Sequence, residues 1–457
     1  MTDKKEKIHK FRQGEDFVLV DVNSGAVHLV DEMIYDIMDT FDGTNDAAVI
    51  ESLSGKYDRE ELAECIEELH QLVDEQLLFA PDIDVPPVFA QHGLVKSLCL
   101  MVAHDCNLRC KYCFGGTGEY SGVRQLMSAE TGKAAVDYII NHCGARKHCE
   151  IDFFGGEPLM NMPMIKEVTE YVRQREKETG KQFKLTLTTN GLLLNEENRK
   201  WLNDNNISLV LSLDGRKEVH DNMRPDAGGN GTYDRCVANF KRMVDSRDGK
   251  DYFLRGTYTA ENLDFTKDVM SMADEGFDVL SVEPVVLKDS PFGITEEHLP
   301  QIFAEYDKLT EEYLKRRAEG KGFFFFHFNM DLSNGPCVAK RLAGCGAGHE
   351  YFAVAANGDL YPCHQFVGRD GYKLGTVWTD VENKELPKKF RNAHVLNKEK
   401  CSDCWARFYC SGGCHANADL FHGDIYQPYE IGCELQKKRL ECAIYVQAVM
   451  NREKEEA

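Results

Sequence analysis

Between residues 96 and 320 the apolar positions switch repeatedly between two spacings. Short apolar runs read as buried strands at Leu98–Val102, Ile151–Phe154, Lys184–Thr188, Leu209–Leu213, Leu254–Tyr258 and Val279–Val282. Between them apolar residues recur at helical spacing over 129–142, 163–178, 196–204, 233–245, 264–275 and 297–318. Strands alternating with helices predict parallel βα units, and six units make a partial (β/α)6 barrel of the α/β class. Chemistry in such folds collects on the loops after the strands. Those loops read His104-Asp105-Cys106, Gly155-Gly156-Glu157-Pro158, Thr189-Asn190-Gly191, Asp214-Gly215, Thr259-Ala260 and Glu283-Pro284. Polar groups and glycines are therefore expected to converge on one face.

The flanks have different patterns. In residues 1–80, "DFVLVDVNSGAVHLVDE" is two alternating strands joined through Asn23-Ser24-Gly25, a hairpin pattern. Helical spacing follows at Glu32–Thr40, Ala47–Gly55 and Arg59–Leu78. This is the pattern of a small binding module. Residues 81–95 read as a linker, around the three prolines of "FAPDIDVPPVFAQHG". Residues 321–336 form a bridge whose "FFFFHF", at 323–328, predicts a buried strand. Residues 337–440 are cysteine-rich and poor in period, and 441–457 read as a C-terminal helix or tail.

Composition narrows the function. A chain of 457 residues exceeds one ordinary core. A net charge of -22 argues against nucleic acid, which needs basic surface. No apolar run approaches twenty residues, so no membrane span is expected. The charged N-terminus lacks a signal-peptide core, and a cytoplasmic location is expected. In a reducing compartment, 17 cysteines at clustered spacings point to metal rather than to disulfides.

The sharpest cluster is "HDCNLRCKYCFGG", with Cys106, Cys110 and Cys113. Structural zinc takes four ligands and disulfides take pairs, so three thiolates suit neither. A [4Fe–4S] cubane held by three leaves one iron for a small molecule bearing an amine and a carboxylate. The CxxxCxxC spacing with the loops above resembles the radical S-adenosylmethionine (SAM) superfamily. The resemblance implies that SAM fills the fourth place and yields a 5′-deoxyadenosyl radical on one-electron cleavage. It further implies SAM contacts from Gly155, Gly156, Glu157 and Pro158, from Tyr112 near the adenine, and from Asn190, Ser212 and Arg224. The alternative for the triad is a zinc site completed elsewhere.

Cys345, Cys363, Cys401, Cys404, Cys410, Cys414 and Cys433 follow in an order that resembles the SPASM domain. That resemblance implies two auxiliary [4Fe–4S] clusters, making three in all. It assigns Cys345, Cys363 and Cys414 to cluster I, and Cys401, Cys404, Cys410 and Cys433 to cluster II. Cys337 stands where many SPASM proteins place a fourth cluster I ligand, although some members leave that iron open for a substrate thiol. Two zinc sites are the alternative. Cys65, Cys99, Cys143, Cys149, Cys236 and Cys442 are expected to pack as small apolar residues. His104, His349, His364 and His415 are expected to hydrogen-bond to a sulfur or a turn rather than to ligate.

The N-terminal pattern resembles the winged-helix-like recognition element of peptide-modifying enzymes, which adds a leader peptide to its sheet edge. Taken whole, the chain resembles the maturases of six-cysteine SCIFF peptides. The stretches that carry this are "DVNSGAVHLVDEMIYDIM", "AHDCNLRCKYCFGGTGEY", "SLDGRKEVHDNMRP" and "GCGAGHEYFAVAANGDLYPCHQF". The resemblance implies thioether formation between a Cys sulfur and a carbon of an acceptor residue, Thr being expected, in a ribosomally made cysteine-rich precursor peptide with a leader. It implies an electron donor such as a flavodoxin or ferredoxin. Two alternatives stand beside it. One is an anaerobic sulfatase-maturase-like side-chain oxidase, which usually carries an acidic residue where His364 stands. The other is a non-enzymatic iron–sulfur scaffold or electron carrier.

Overall fold

The computed structural model describes residues 7–84, 94–120, 123–333, 335 and 341–455. Six parallel strands form its centre: β4 (Ser97–Ala103), β5 (His148–Gly155), β6 (Gln182–Thr189), β7 (Ser208–Ser212), β8 (Tyr252–Tyr258) and β9 (Val279–Pro284). Each pairs with the next in chain order. Helices at Ala129–His142, Met162–Thr179, Glu196–Asp204, Tyr233–Asp245, Phe265–Asp274 and Leu299–Ala318 cover one face. The inward set on β5 to β8 is apolar and fully buried, as Ile151, Phe153, Leu185, Leu187, Leu209, Leu211 and Leu254. Residues of the opposite parity, among them Asp152, Thr186, Ser212 and Arg255, line the other face in register. A short helix at Lys217–Met223, between β7 and Tyr233–Asp245, has no counterpart in the apolar pattern.

The sheet continues beyond the six strands. β10 (Phe324–Phe325) extends it beside β9. At the other edge β11 (Tyr351–Val354) pairs parallel with β4, and β12 (Asp359–Tyr361), β13 (Gly375–Thr376) and β14 (Asp380–Val381) follow antiparallel. The cysteine-rich segment is thus hydrogen-bonded into the barrel sheet, and one core of buried residues runs from Val95 to Val446. This explains why β4 is buried along its whole length.

Two local expectations are corrected. The "FFFFHF" stretch is not one buried strand: after Phe325 the chain leaves the sheet in a single 3-10 turn, Phe326–Phe328. Phe323, Phe325 and Phe328 enter the core around Tyr313, while Phe324 and Phe326 are exposed. The boundary expected at 440/441 falls inside one continuous helix, Glu430–Glu455, which carries Cys433 in its first turn.

The N-terminal unit is a three-stranded antiparallel sheet of β1 (Ile8–Gln13), β2 (Asp16–Asp21) and β3 (Val27–Val30), with helices Glu32–Ile37, Asp46–Leu53 and Arg59–Asp74. Buried Asp21 builds the β2–β3 turn by accepting bonds from the Ser24 N–H at 2.8 Å and the Asn23 N–H at 3.2 Å. The unit has its own core around Leu19, Phe41, Leu62, Ile66 and Leu69. β1 escapes the sequence pattern because three of its residues are cationic or imidazole: His9, Lys10 and Arg12. Most of the linker, residues 85–93, lies outside the described residues, as does Cys337.

Candidate active site and auxiliary cysteine sets

The loop after β4 carries Cys106, Cys110 and Cys113. Its backbone is fastened to the segment around Arg224 by Arg109 N–H to Pro225 O at 2.8 Å and Lys111 N–H to Met223 O at 3.0 Å. The Arg109 guanidinium donates to the carbonyls of Cys106 (2.6 Å) and Leu108 (2.7 Å), which fixes the curl that points the thiols inward. Burial pushes Cys106 up to about 12 and Cys110 up to about 11, and it also raises Cys113. Buried thiols of this kind ionise only beside a strong cation such as a metal core.

The loop after β5 lies directly against the cysteine loop. Gly156 N–H bonds to Ala103 O at 2.8 Å, and Glu157 N–H to Asp105 O at 2.9 Å. A Cβ on Gly156 would sit 2.1 Å from the Asp105 carbonyl oxygen, and one on Gly155 (φ +136°) 2.4 Å from that of Ala103. Only glycine permits that approach. Glu157 is fully buried. It accepts from Leu159 N–H (3.0 Å), the Thr189 hydroxyl (2.8 Å) and Asn190 N–H (2.8 Å), and Pro158 starts the turn that supplies the first of these. Burial outweighs these bonds and holds Glu157 at about 7. A carboxylate kept in that state is suited to an added ammonium group. Asn190 Nδ2 donates to Asn107 Oδ1 at 2.8 Å, tying the β6 loop to the cysteine loop.

A second group forms at the end of β7. Tyr112 donates its hydroxyl to Asp214 Oδ2 at 2.6 Å, and Arg224 Nη1 donates to the Tyr112 oxygen at 2.6 Å. Arg224 lies 3.7 Å from Asp214. Arg224 Nε is buried without a hydrogen-bond partner. That orphaned donor, beside three thiols and a buried carboxylate, fits a zwitterionic ligand with a carboxylate of its own. Ser212 ends β7 in register with Arg255. Gly156, Glu157, Asn190, Tyr112 and Arg224 thus gather around the cysteine loop, while Ser212 is placed only by its strand register. Asn107 was not singled out by the pattern, and Asp214 was named only as part of a strand-end loop, with no partner assigned to it.

The later cysteines fall into two groups by the charges they exert on one another. Burial first, then Cys414 and Cys345, push Cys363 up to about 12. Burial first, then Cys410, Cys401 and Cys404, push Cys433 up to about 12. Every described cysteine is a free thiol. Among the described residues no three Cys, His, Asp or Glu side chains converge tightly enough to hold a single metal ion. Ligands to different irons of one cubane would not converge so. Of the six remaining cysteines all but half-buried Cys65 are buried. His104 accepts from Ala356 N–H (3.4 Å), His349 faces Ala347 O (3.2 Å), His364 faces the Tyr351 hydroxyl (3.1 Å) and His415 faces Lys398 Nζ (3.4 Å).

Family models agree with this organisation. Residues 92–237 match a 4Fe-4S single cluster domain, and residues 345–405 match SPASM, an iron-sulfur cluster-binding domain. A cysteine-type anaerobic sulfatase-maturating enzyme of Clostridium novyi is 25% identical over 349 residues, 71% of this chain and 90% of that protein. The structure of anSMEcpe with bound AdoMet aligns with 78% of this chain and 99% of its own, at 22% identity and TM-score 0.64. That of Streptococcus suis SuiB bound to precursor peptide SuiA covers 92% and 97%, at 16% identity and TM-score 0.51. The chain therefore carries a 4Fe-4S single cluster domain and a SPASM domain, on an α/β fold with a parallel sheet like that of radical SAM maturases. Its cofactors are SAM, a [4Fe–4S] cluster and auxiliary iron–sulfur clusters. No helix among the described residues is long and apolar enough to cross a membrane.

Proposed function

We propose that this enzyme forms intramolecular thioether crosslinks, Cys sulfur to an acceptor carbon with Thr expected, in a ribosomally made cysteine-rich precursor peptide. The observation that carries the peptide reading is the N-terminal sheet, whose strand β3 pairs only with β2 among the described residues. Among the described residues no strand pairs with its other edge, where an added strand could dock. SuiB, solved with a precursor peptide, covers 92% of this chain against 78% for anSMEcpe, a gap close to the share that residues 1–80 make up. The thioether itself is supported by the four stretches that resemble SCIFF maturases.

In this reading Cys106, Cys110 and Cys113 hold the SAM-binding cluster. Glu157 and the Gly155–Gly156 backbone receive the SAM amine, and Arg224 receives its carboxylate. Tyr112, Pro158, Asn190 and Ser212 complete the walls. When bound, SAM and its cluster supply the radical that removes a hydrogen atom. Crosslinking takes two electrons and two protons from the peptide. One of each would leave in that hydrogen atom and the thiol proton would leave to solvent, and the auxiliary clusters, when bound, would supply an acceptor for the second electron. Cys345, Cys363 and Cys414 hold cluster I, with Cys337 as its fourth ligand or a substrate thiolate in that place. Cys401, Cys404, Cys410 and Cys433 hold cluster II. A flavodoxin or ferredoxin provides the electron that starts each turnover.

The likeness to sulfatase-maturating proteins favours a second reading, oxidation of one side chain to a carbonyl without a crosslink. His364 stands where that reading expects an acidic residue. Coexpression with a neighbouring cysteine-rich peptide separates the two. Thioether formation removes two hydrogens per crosslink, protects that cysteine from alkylation and gives no carbonyl. A product that reacts with a hydrazide while every cysteine still alkylates would overturn the crosslinking reading.

A further inference from the structure

Lys398 is 0% exposed, the most deeply buried lysine among the described residues. Its ammonium donates to Gly412 O at 2.8 Å and lies 3.4 Å from His415 Nδ1. Neither partner is an anion. Among the described residues no carboxylate pairs with Lys398. Burial lowers Lys398 from its ordinary value, and a buried ammonium is retained where a nearby anion offsets a cost of several kcal/mol, so an anion is the fitting neighbour.

The surroundings say where it belongs. Lys398 stands at the start of the short helix Glu399–Ser402, which carries Cys401. Gly412, which takes its hydrogen bond, is the middle residue of Cys410-Ser411-Gly412-Gly413-Cys414. That link joins a ligand proposed for cluster II to one proposed for cluster I. Ser411, Gly412 and Gly413 all have positive φ, so the link doubles back sharply and presents its middle carbonyl to the ammonium. Among the groups that act on Lys398 electrostatically are Cys401, Cys410 and Cys433 from one set and Cys414 from the other. An iron–sulfur cubane held by thiolates carries net negative charge, so either cluster is an anion of the kind required.

We infer that Lys398 is the shared counter-cation of the two auxiliary clusters and raises the reduction potential of both, favouring transfer of the surplus electron onto them. The inference rests on the proposed cluster assignment. A cation beside a cluster stabilises its more negative, reduced form, and a cation kept from water does so with little screening. Lys398 would act through the clusters, as a positioning charge, and not on the peptide.

The test uses the reconstituted full-length protein. Wild-type protein must first hold about twelve irons, four per cubane. About four irons would count against the cluster assignment itself and not against Lys398. Lys398→Met and Lys398→Gln remove the charge, and Gln keeps a donor for Gly412. EPR-monitored redox titration should show both auxiliary clusters at least tenfold harder to reduce at a fixed potential, about 59 mV for a one-electron couple. Lys398→Arg should stay within threefold of wild type. Unchanged potentials in the neutral variants overturn the inference, and a shift in one cluster alone overturns the sharing. If the neutral variants lose auxiliary iron, its return in Lys398→Arg supports a counter-cation. Equal loss in all three variants counts against it, since shape rather than charge would then be what the site requires.

Discussion

Glu157 shows how one residue joins fold and chemistry. Its carboxylate accepts bonds from groups on the β5 and β6 loops, so removing it loosens the tie between the two loops. Burial raises it from an ordinary value of 4.5 to about 7. Below the lower value both folded and unfolded chains carry the proton. Between the two the folded chain keeps a proton that the unfolded chain has lost, so stability falls as pH rises through this window. For protein free of cluster and SAM the fall should reach about 3 kcal/mol. Thermal unfolding at pH 5 and pH 7 checks it: wild type should lose stability across the interval, and Glu157→Gln should lose far less. Equal slopes in the two proteins would sink the argument. The cysteines and the Gly155-Gly156-Glu157-Pro158 run were legible in the sequence because their chemistry is tied to close spacing. The Tyr112–Asp214–Arg224 chain was legible only in part, since its members lie 102 to 112 residues from Tyr112.

At the scale of elements, the predicted strands and helices of the barrel match the structure closely, because each βα unit must bury one face and so repeats the same pattern. β1 and the Lys217–Met223 helix escaped, being short and polar, with too few apolar positions to show a period. The edge of the N-terminal sheet carries its own prediction. The Asp21 N–H bonds to Ala26 O, and the register pairs Val20 with Val27 and Leu19 with His28. Antiparallel pairs alternate between bonded and non-bonded, so the N–H groups of Val27 and Leu29 point away from β2. Proline is tolerated at the first residue of an edge strand. Val27→Pro should therefore fold yet weaken leader-peptide affinity by about tenfold, the worth of roughly one lost main-chain hydrogen bond. Fluorescence anisotropy with labelled peptide measures this, and an unaltered affinity would remove β3 as the docking edge.

At the scale of the whole molecule, the N-terminal unit is not an appendage. Phe11, Val18 and Val20 pack with Ala406, Tyr409, Leu440 and Ile444. His9 stacks on Trp405 with ring centroids 3.8 Å apart, Arg407 donates to Asn23 at 2.6 Å, and Tyr409 donates to Gly25 O at 3.1 Å. Trp405, Ala406, Arg407 and Tyr409 all lie between Cys404 and Cys410. Deleting residues 1–80 would strip an apolar cover from the segment that joins these two cysteines and leave the Arg407 guanidinium short of a partner. Iron in the truncated, reconstituted protein is expected to fall from about twelve to about eight, with the EPR signal of cluster II lost. A full iron complement after truncation would show that the unit is held on without supporting that segment.

The sequence by itself determined the parallel α/β barrel, the cysteine loop, the order of the later cysteines and the hairpin module. Each is written in spacing over a few residues, where periodicity and ligand geometry act locally. Only the tertiary structure decided that the cysteine-rich segment joins the barrel sheet through β11 and β4, and that the N-terminal sheet braces the Cys404–Cys410 segment. It alone set a lysine that has no counter-ion among the described residues between two groups of cysteines. The reason is physical: such contacts join residues hundreds of positions apart. Their energies come from burial and charge in a shared low-dielectric space, which no local pattern along the chain encodes.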